Sequence, residues 1–174
     1  MRNLKVKDFK KKGGKQMIKN LRVDHRLLHG QVAFSWSSFL GADCILLASD
    51  SLLNDELRLT TVKIARPPGI KLVIKTIDDS VKAINSGVTD KYKLFIVTDT
   101  IEGASILARQ CNIKNINLGG TKSATNKKKL SKAVYATDDE VELLKELCKE
   151  GIKLNIQMIP SEPEINGQSV LNNL

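Results

Sequence analysis

Apolar positions along the chain alternate between two spacings. Short aliphatic and β-branched runs occur at residues 18–23, 44–48, 72–74, 94–97, 116–118, 133–135 and 152–158. Several have no polar alternation, as expected of strands in a parallel sheet covered on both faces. Between them, residues 29–40, 54–65, 78–85, 101–110 and 138–149 repeat apolar residues at helical spacing; in the last segment these are Val141, Leu143, Leu144, Leu147 and Cys148. Gly41, Gly87, Gly151 and the Pro67-Pro68-Gly69 turn close four of these helices, and Thr137 and Asp138 stand where the fifth would be capped. The pattern predicts a single α/β domain: an open, twisted, mostly parallel sheet of about seven strands with helices on both faces.

In such a sheet the crossovers are right-handed and ligands bind outside the carboxyl ends of the strands. The search for chemistry therefore narrows to the loops after each strand. The densest is Arg22-Val23-Asp24-His25-Arg26-Leu27-Leu28-His29-Gly30-Gln31-Val32, which contains both histidines of the protein. A neutral imidazole is a nucleophile and a proton acceptor near neutral pH, and the guanidinium groups of Arg22 and Arg26 would attract a phosphate dianion. His29 would stand where a helix begins, so the amides of Gly30, Gln31 and Val32 would face an anion there, and Gly30 leaves room for it. The set fits a phosphohistidine with Asp24 and His25 in support. A loop histidine that merely caps a helix remains the competing reading.

Other signals are weaker. Leu118-Gly119-Gly120-Thr121 matches neither dinucleotide nor P-loop fingerprints and reads as a tight turn. Asp99 and Asp50 follow apolar strands and serve either chemistry or helix capping. Lys122, Lys127, Lys128, Lys129 and Lys132 form a basic cluster that is either solvated or open to an acidic partner. Trp36 reads as a core residue.

Composition changes this picture in two places. The 28 Lys+Arg against 19 Asp+Glu give a net charge of +9, but residues 1–16 hold seven basic residues and one acidic one, so +6 lies there and +3 in the remaining 158 residues. This segment is expected to be a disordered basic tail, and it keeps open a rival reading as a basic regulatory or nucleic-acid-binding module without catalysis. A second rival is a small phosphatase or transferase that uses His29 on a soluble substrate. The three cysteines, Cys44, Cys111 and Cys148, are too far apart for a zinc pair or a disulfide framework and read as core thiols, and no metal site or cofactor is expected. No apolar run approaches the roughly 18 residues needed to span a bilayer, so a cytoplasmic location is expected.

The eleven residues from Arg22 to Val32 resemble the R-I-D-D-R-L-I-H-G-Q-V signature of IIB domains in the mannose/fructose/sorbose family of the bacterial phosphoenolpyruvate-dependent sugar phosphotransferase system. The similarity extends through Trp36, Ala42-Asp43, Ala65-Arg66-Pro67-Pro68-Gly69, Asn117-Leu118-Gly119-Gly120 and Ile159-Pro160. It implies that residues 17–174 form a IIB domain without nucleic-acid partners, and that His29 takes a phosphoryl group from a phosphohistidine on IIA. His29 would then pass it to a sugar held by the membrane components IIC and IID, with which the protein would associate peripherally. Arg26 matches the family arginine beside the histidine, and Arg22 and Asp24 match the first arginine and first aspartate. His25 departs from the pattern, standing where the family has a second aspartate. The sugar and any homodimer are left open.

Lys12-Gly13-Gly14-Lys15-Gln16-Met17 can be encoded by AAA-GGA-GGA-AAA-CAA-ATG, a purine run like a bacterial ribosome-binding site just upstream of a start codon. Translation is expected to begin at Met17. Peptide mapping of protein from the native locus should return no peptides from residues 1–16, and abundant ones would refute this start.

Overall fold

β1 (Ile18–Asp24) alternates strictly near its end, with Leu21 and Val23 on one face and Arg22 and Asp24 on the other, and all four are buried. The computed structural model describes residues 17–174; the segment 1–16, expected as a basic tail, lies outside the described residues. After β1 follow α1 (Gly30–Leu40), β2 (Cys44–Ala48), a single 3-10 turn (Leu52–Asn54), α2 (Glu56–Ile64), β3 (Lys71–Lys75), α3 (Ile77–Asn85), β4 (Leu94–Thr98), α4 (Ile101–Gln110) and β5 (Asn115–Gly120). The chain continues through β6 (Lys128–Lys129), β7 (Tyr135–Ala136), α5 (Asp138–Lys149), β8 (Lys153–Ile156), β9 (Ile165–Asn166) and α6 (Gly167–Asn172).

Seven strands make one sheet in the order β3-β2-β4-β1-β5-β8-β9. All neighbours pair in parallel except β9, which is antiparallel to β8. Every residue of β2 and β4 is buried, because helices cover both faces, as the unbroken apolar runs imply. Ile45, Leu47, Phe95 and Val97 pack with Ala33 and Trp36 of α1 and Val62 of α2. Their neighbours Leu46, Leu94 and Ile96 face the other way, into the apolar layer that also holds Val81 of α3, Leu107 of α4, Leu144 of α5 and Leu171 of α6. Cys44 and Cys111 are buried in that second layer and Cys148 is half-buried at its margin, as expected of core positions.

Four expectations are corrected. The run at 133–135 does not join the main sheet: β7 pairs antiparallel with β6 in a separate two-stranded ribbon, and the seventh strand of the sheet is β9 instead. Gly119 and Gly120 end β5 rather than forming a tight turn. The last long run stops at Ile156, and the following backbone turns toward α1, where the Met158 carbonyl accepts the indole N–H of Trp36 at 2.9 Å. The second helix begins at Glu56, capped by Asp55, which accepts from the Arg58 amide.

The fifth helix is capped as the sequence implies, and completely so. The Thr137 hydroxyl accepts from the Glu140 amide at 3.1 Å while the Glu140 carboxylate accepts from the Thr137 amide at 2.7 Å. Thr137→Ala leaves the Glu140 amide without its acceptor and is expected to destabilise the protein by about 1 kcal/mol, seen in urea denaturation as a lower midpoint with an unchanged slope.

Candidate active site

The loop between β1 and α1 begins with a turn in which the Leu27 amide donates to the Asp24 carbonyl at 2.8 Å. Leu27 takes up the left-handed region at φ 59°, a conformation costing a branched side chain roughly 1–2 kcal/mol. Burying that side chain recovers roughly 1.5–3 kcal/mol, and Leu27 and Leu28 are both buried beside α1. The strained turn is therefore anchored from beneath, and Arg26, at its tip, is left half exposed.

His29 is the N-cap of α1 in extended conformation, and its side chain does not cap the helix. Its Nε2 is instead 3.0 Å from Oδ2 of Asp24, which is fully buried. The Asp24 Oδ1 accepts the Arg26 amide at 3.1 Å. Burial alone would raise the Asp24 carboxyl, but the hydrogen bond from His29, the charges of Arg22 and His29 and the Arg26 amide outweigh it and hold its pKa at about 2. An ionised carboxylate only accepts, so in neutral His29 the proton sits on Nε2 and the lone pair on Nδ1.

Arg22 is turned inward, whereas its sequence position suggested a phosphate contact. Its Nη1 donates to Asn117 Oδ1 at 2.6 Å and to the Gln157 carbonyl at 3.0 Å. Its Nη2 donates to Asp24 Oδ2 and to the Met158 carbonyl, both at 3.0 Å. The guanidinium lies 5.2 Å from the centre of the Trp36 ring, and its Nε is buried without a partner. Gly119 makes this possible, since a Cβ there would collide with the guanidinium. Asn117 in turn donates to Asn155 at 2.7 Å, so a polar line crosses β8, β5 and β1 and ends at His29.

The helix start offers an open anion site. The first amides of a helix lack intrahelical acceptors, Gly30 sits at φ 40°, and a Cβ placed on it would meet nothing within 4 Å. A cavity of about 530 Å³ lies between residues 130–133 and 156–165, and neither His29 nor Arg26 lines it. The His29 side chain is partly exposed, with 20% of its area accessible.

These features coincide with the family comparison. The profile of the family described as PTS system sorbose subfamily IIB component matches residues 18–174. The chain belongs to that family. It is 32% identical over 146 residues to the sorbose-specific EIIB component of Klebsiella pneumoniae, covering 83% of this chain and 89% of that one. It is 26% identical over 157 residues to the fructose-specific EIIB component of Bacillus subtilis, covering 88% and 94%. The crystal structure of the IIBSor domain of the Klebsiella pneumoniae sorbose permease superposes with a TM-score of 0.85 at 30% identity, covering 91% and 98%. The protein is thus a phosphotransferase of the sugar transport system, and members of its family carry a phosphoryl group from IIA toward a sugar. Among the described residues no helix is long and apolar enough to cross a membrane, and no group of three or more His, Cys, Asp or Glu could hold a metal ion.

The other sequence candidates lie apart from this IIB site or at its margin. His25 follows β1, its amide donating to the Gly120 carbonyl at 3.0 Å; its Nδ1 is buried without a partner, and burial lowers the imidazole pKa. Asp99 neither orients a histidine nor caps α4. Its Oδ2 accepts from Ser49, Ser51 and Arg58, and Thr100 is the cap. Asp50 accepts the Ile77 amide at the start of α3. Three lysines of the basic cluster meet carboxylates of the chain itself, Lys127 with Glu140, Lys128 with Asp138 and Lys132 with Glu162. Sequence reasoning did not single out the side chain of Asn117 or the close approach at Gly119. The available signal was an amide between Ile116 and Leu118 in an otherwise apolar strand.

Because folding depresses the Asp24 pKa from 3.8 to about 2, its ionised form stabilises the fold above pH 4, and that contribution disappears as pH falls toward 2. Asp24→Asn lacks the contribution throughout. The stability gap between wild type and this variant, measured by urea denaturation, is expected to narrow from pH 4 to pH 2, and a constant gap would refute the assignment.

Proposed function

We propose that His29 is the phosphoryl acceptor and that Nδ1 is the atom phosphorylated. The observation that carries this is the hydrogen bond from Nε2 to the buried Asp24, which leaves Nδ1 as the only lone pair on the ring. The Nδ1 lone pair attacks phosphorus as the bond to the donor histidine nitrogen of IIA breaks, and the positive charge gained by the imidazole is balanced by Asp24. In the second step a sugar hydroxyl, presented with IIC and IID, attacks the same phosphorus and His29 leaves with its electron pair. The hydroxyl proton passes to a base on the acceptor side.

Each neighbour has a defined share in this reading. Arg26 lies on the exposed tip of the turn, where its charge can meet the equatorial oxygens of the transferring group, and the amides of Gly30, Gln31 and Val32 supply fixed donors. Asp24 and Arg22 are positioning residues, one fixing the tautomer and the other fixing Asp24. Phe34 on α1, 54% exposed, offers a docking partner apolar area on the helix that His29 begins. The Nδ1 of His25 is buried and closed to an incoming phosphoryl group.

Incubation with phosphorylated IIA, without ATP, should give one acid-labile, alkali-stable phosphoryl group, and heteronuclear NMR should place it on Nδ1 of His29. His29→Ala should abolish labelling. His25→Ala and His25→Asp should retain it, and Arg26→Ala should slow it about tenfold or more with little change in stability. Phosphate on His25, on His29 Nε2, or on the His29→Ala protein would refute the assignment.

A further inference from the structure

At the sheet edge opposite β9, on the face that carries α3, lies a second cavity of about 280 Å³. It is walled by the side chains of Leu46 on β2, Val73 on β3 and Leu94 on β4, with Val88 at its margin. Lys71, Lys75 and Lys91 also line it, and no carboxylate does. None of the three lysines forms an ion pair among the described residues, although other lysines of the chain find carboxylates.

Two of these cations are gathered on one aromatic ring. Lys71 Nζ lies 4.8 Å and Lys91 Nζ 5.2 Å from the ring centre of Tyr92, and Lys71 also donates to the Tyr92 hydroxyl at 2.8 Å. Like charges held together without a counter-ion raise the local positive potential. Thr89, also in the lining, has a buried hydroxyl with no partner among the described residues, so it is free to donate to a bound acceptor.

We propose that this cavity binds a small amphiphilic anion, an alkyl or aryl body carrying a phosphate or carboxylate group. The apolar body would lie on Leu46, Val73 and Leu94, and the anionic head would meet the lysines and the Thr89 hydroxyl. Concave, mostly apolar sites with a few convergent polar groups have this division of labour, and the volume suits a ligand smaller than a drug. The site is separate from the His29 loop and does not depend on the phosphoryl-transfer assignment.

Hexyl phosphate is the probe, titrated into methyl-labelled protein and followed by NMR. Saturable shifts are expected at the methyls of Leu46, Val73 and Leu94, with no equivalent response to inorganic phosphate or to hexanol at the same concentration. Lys71→Glu combined with Lys91→Glu should weaken binding by at least about tenfold while the remaining methyl spectrum stays dispersed. Ala83→Leu, which adds bulk from α3 into the lining, should also reduce it. Vesicles containing phosphatidylglycerol test a lipid source of the same chemistry: binding that hexyl phosphate competes away supports the cavity, whereas vesicle binding with no hexyl phosphate site overturns it. Absence of shifts in folded protein, an equal response to hexanol or phosphate, or unchanged affinity in the double lysine variant would also overturn it.

Discussion

The buried pair of Arg22 and Asp24 is the interaction on which the reactive end of the molecule depends. Both side chains leave water almost completely, a step that costs several kcal/mol per ion before any partner is counted. They are tolerated because Arg22 has four acceptors across its two terminal nitrogens and Asp24 receives Arg22, His29 and the Arg26 amide. Such a pair contributes little net stability compared with well-packed apolar residues, yet removing one member strands the other charge. Its value here is geometric: it transmits the rigidity of three central strands to one imidazole.

That rigidity suits the reaction. In a loose phosphoryl-transfer transition state little covalent assistance is required, and positioning with fixed charges accounts for most of the rate. An acceptor that must meet first one macromolecule and then another has to stand on open surface. An exposed histidine, however, samples rotamers and tautomers. Anchoring Nε2 from the buried side restricts both and, in the proposed assignment, leaves the Nδ1 lone pair to react. The strain of Leu27 and the free helix start at Gly30 place charged and amide donors around the same point.

Much of this fold was readable from the chain because β2 and β4 are continuous apolar runs and α1, α4 and α5 have clear helical spacing. The ribbon of β6 and β7 and the edge strand β9 escaped, since two-residue strands carry no period at all. At the site, Asp24, Arg26 and His29 were legible as a dense polar cluster after a strand. The inward turn of Arg22 was not. An arginine in a strand followed by a polar loop looks solvent-facing, and its burial follows from Asn117, Gly119 and two carbonyls contributed from 95 to 136 residues away.

The sheet ends on one side in β3, whose lysines lie at both termini of a five-residue strand, and on the other in the two-residue β9. Neither offers a long, flat row of unpaired amides and carbonyls for another chain to extend. Association by strand addition, which is slow to reverse, is thereby discouraged. Contacts are steered to the rim where the strands end, and a carrier that must let go of each companion in turn benefits from meeting them by side chains alone.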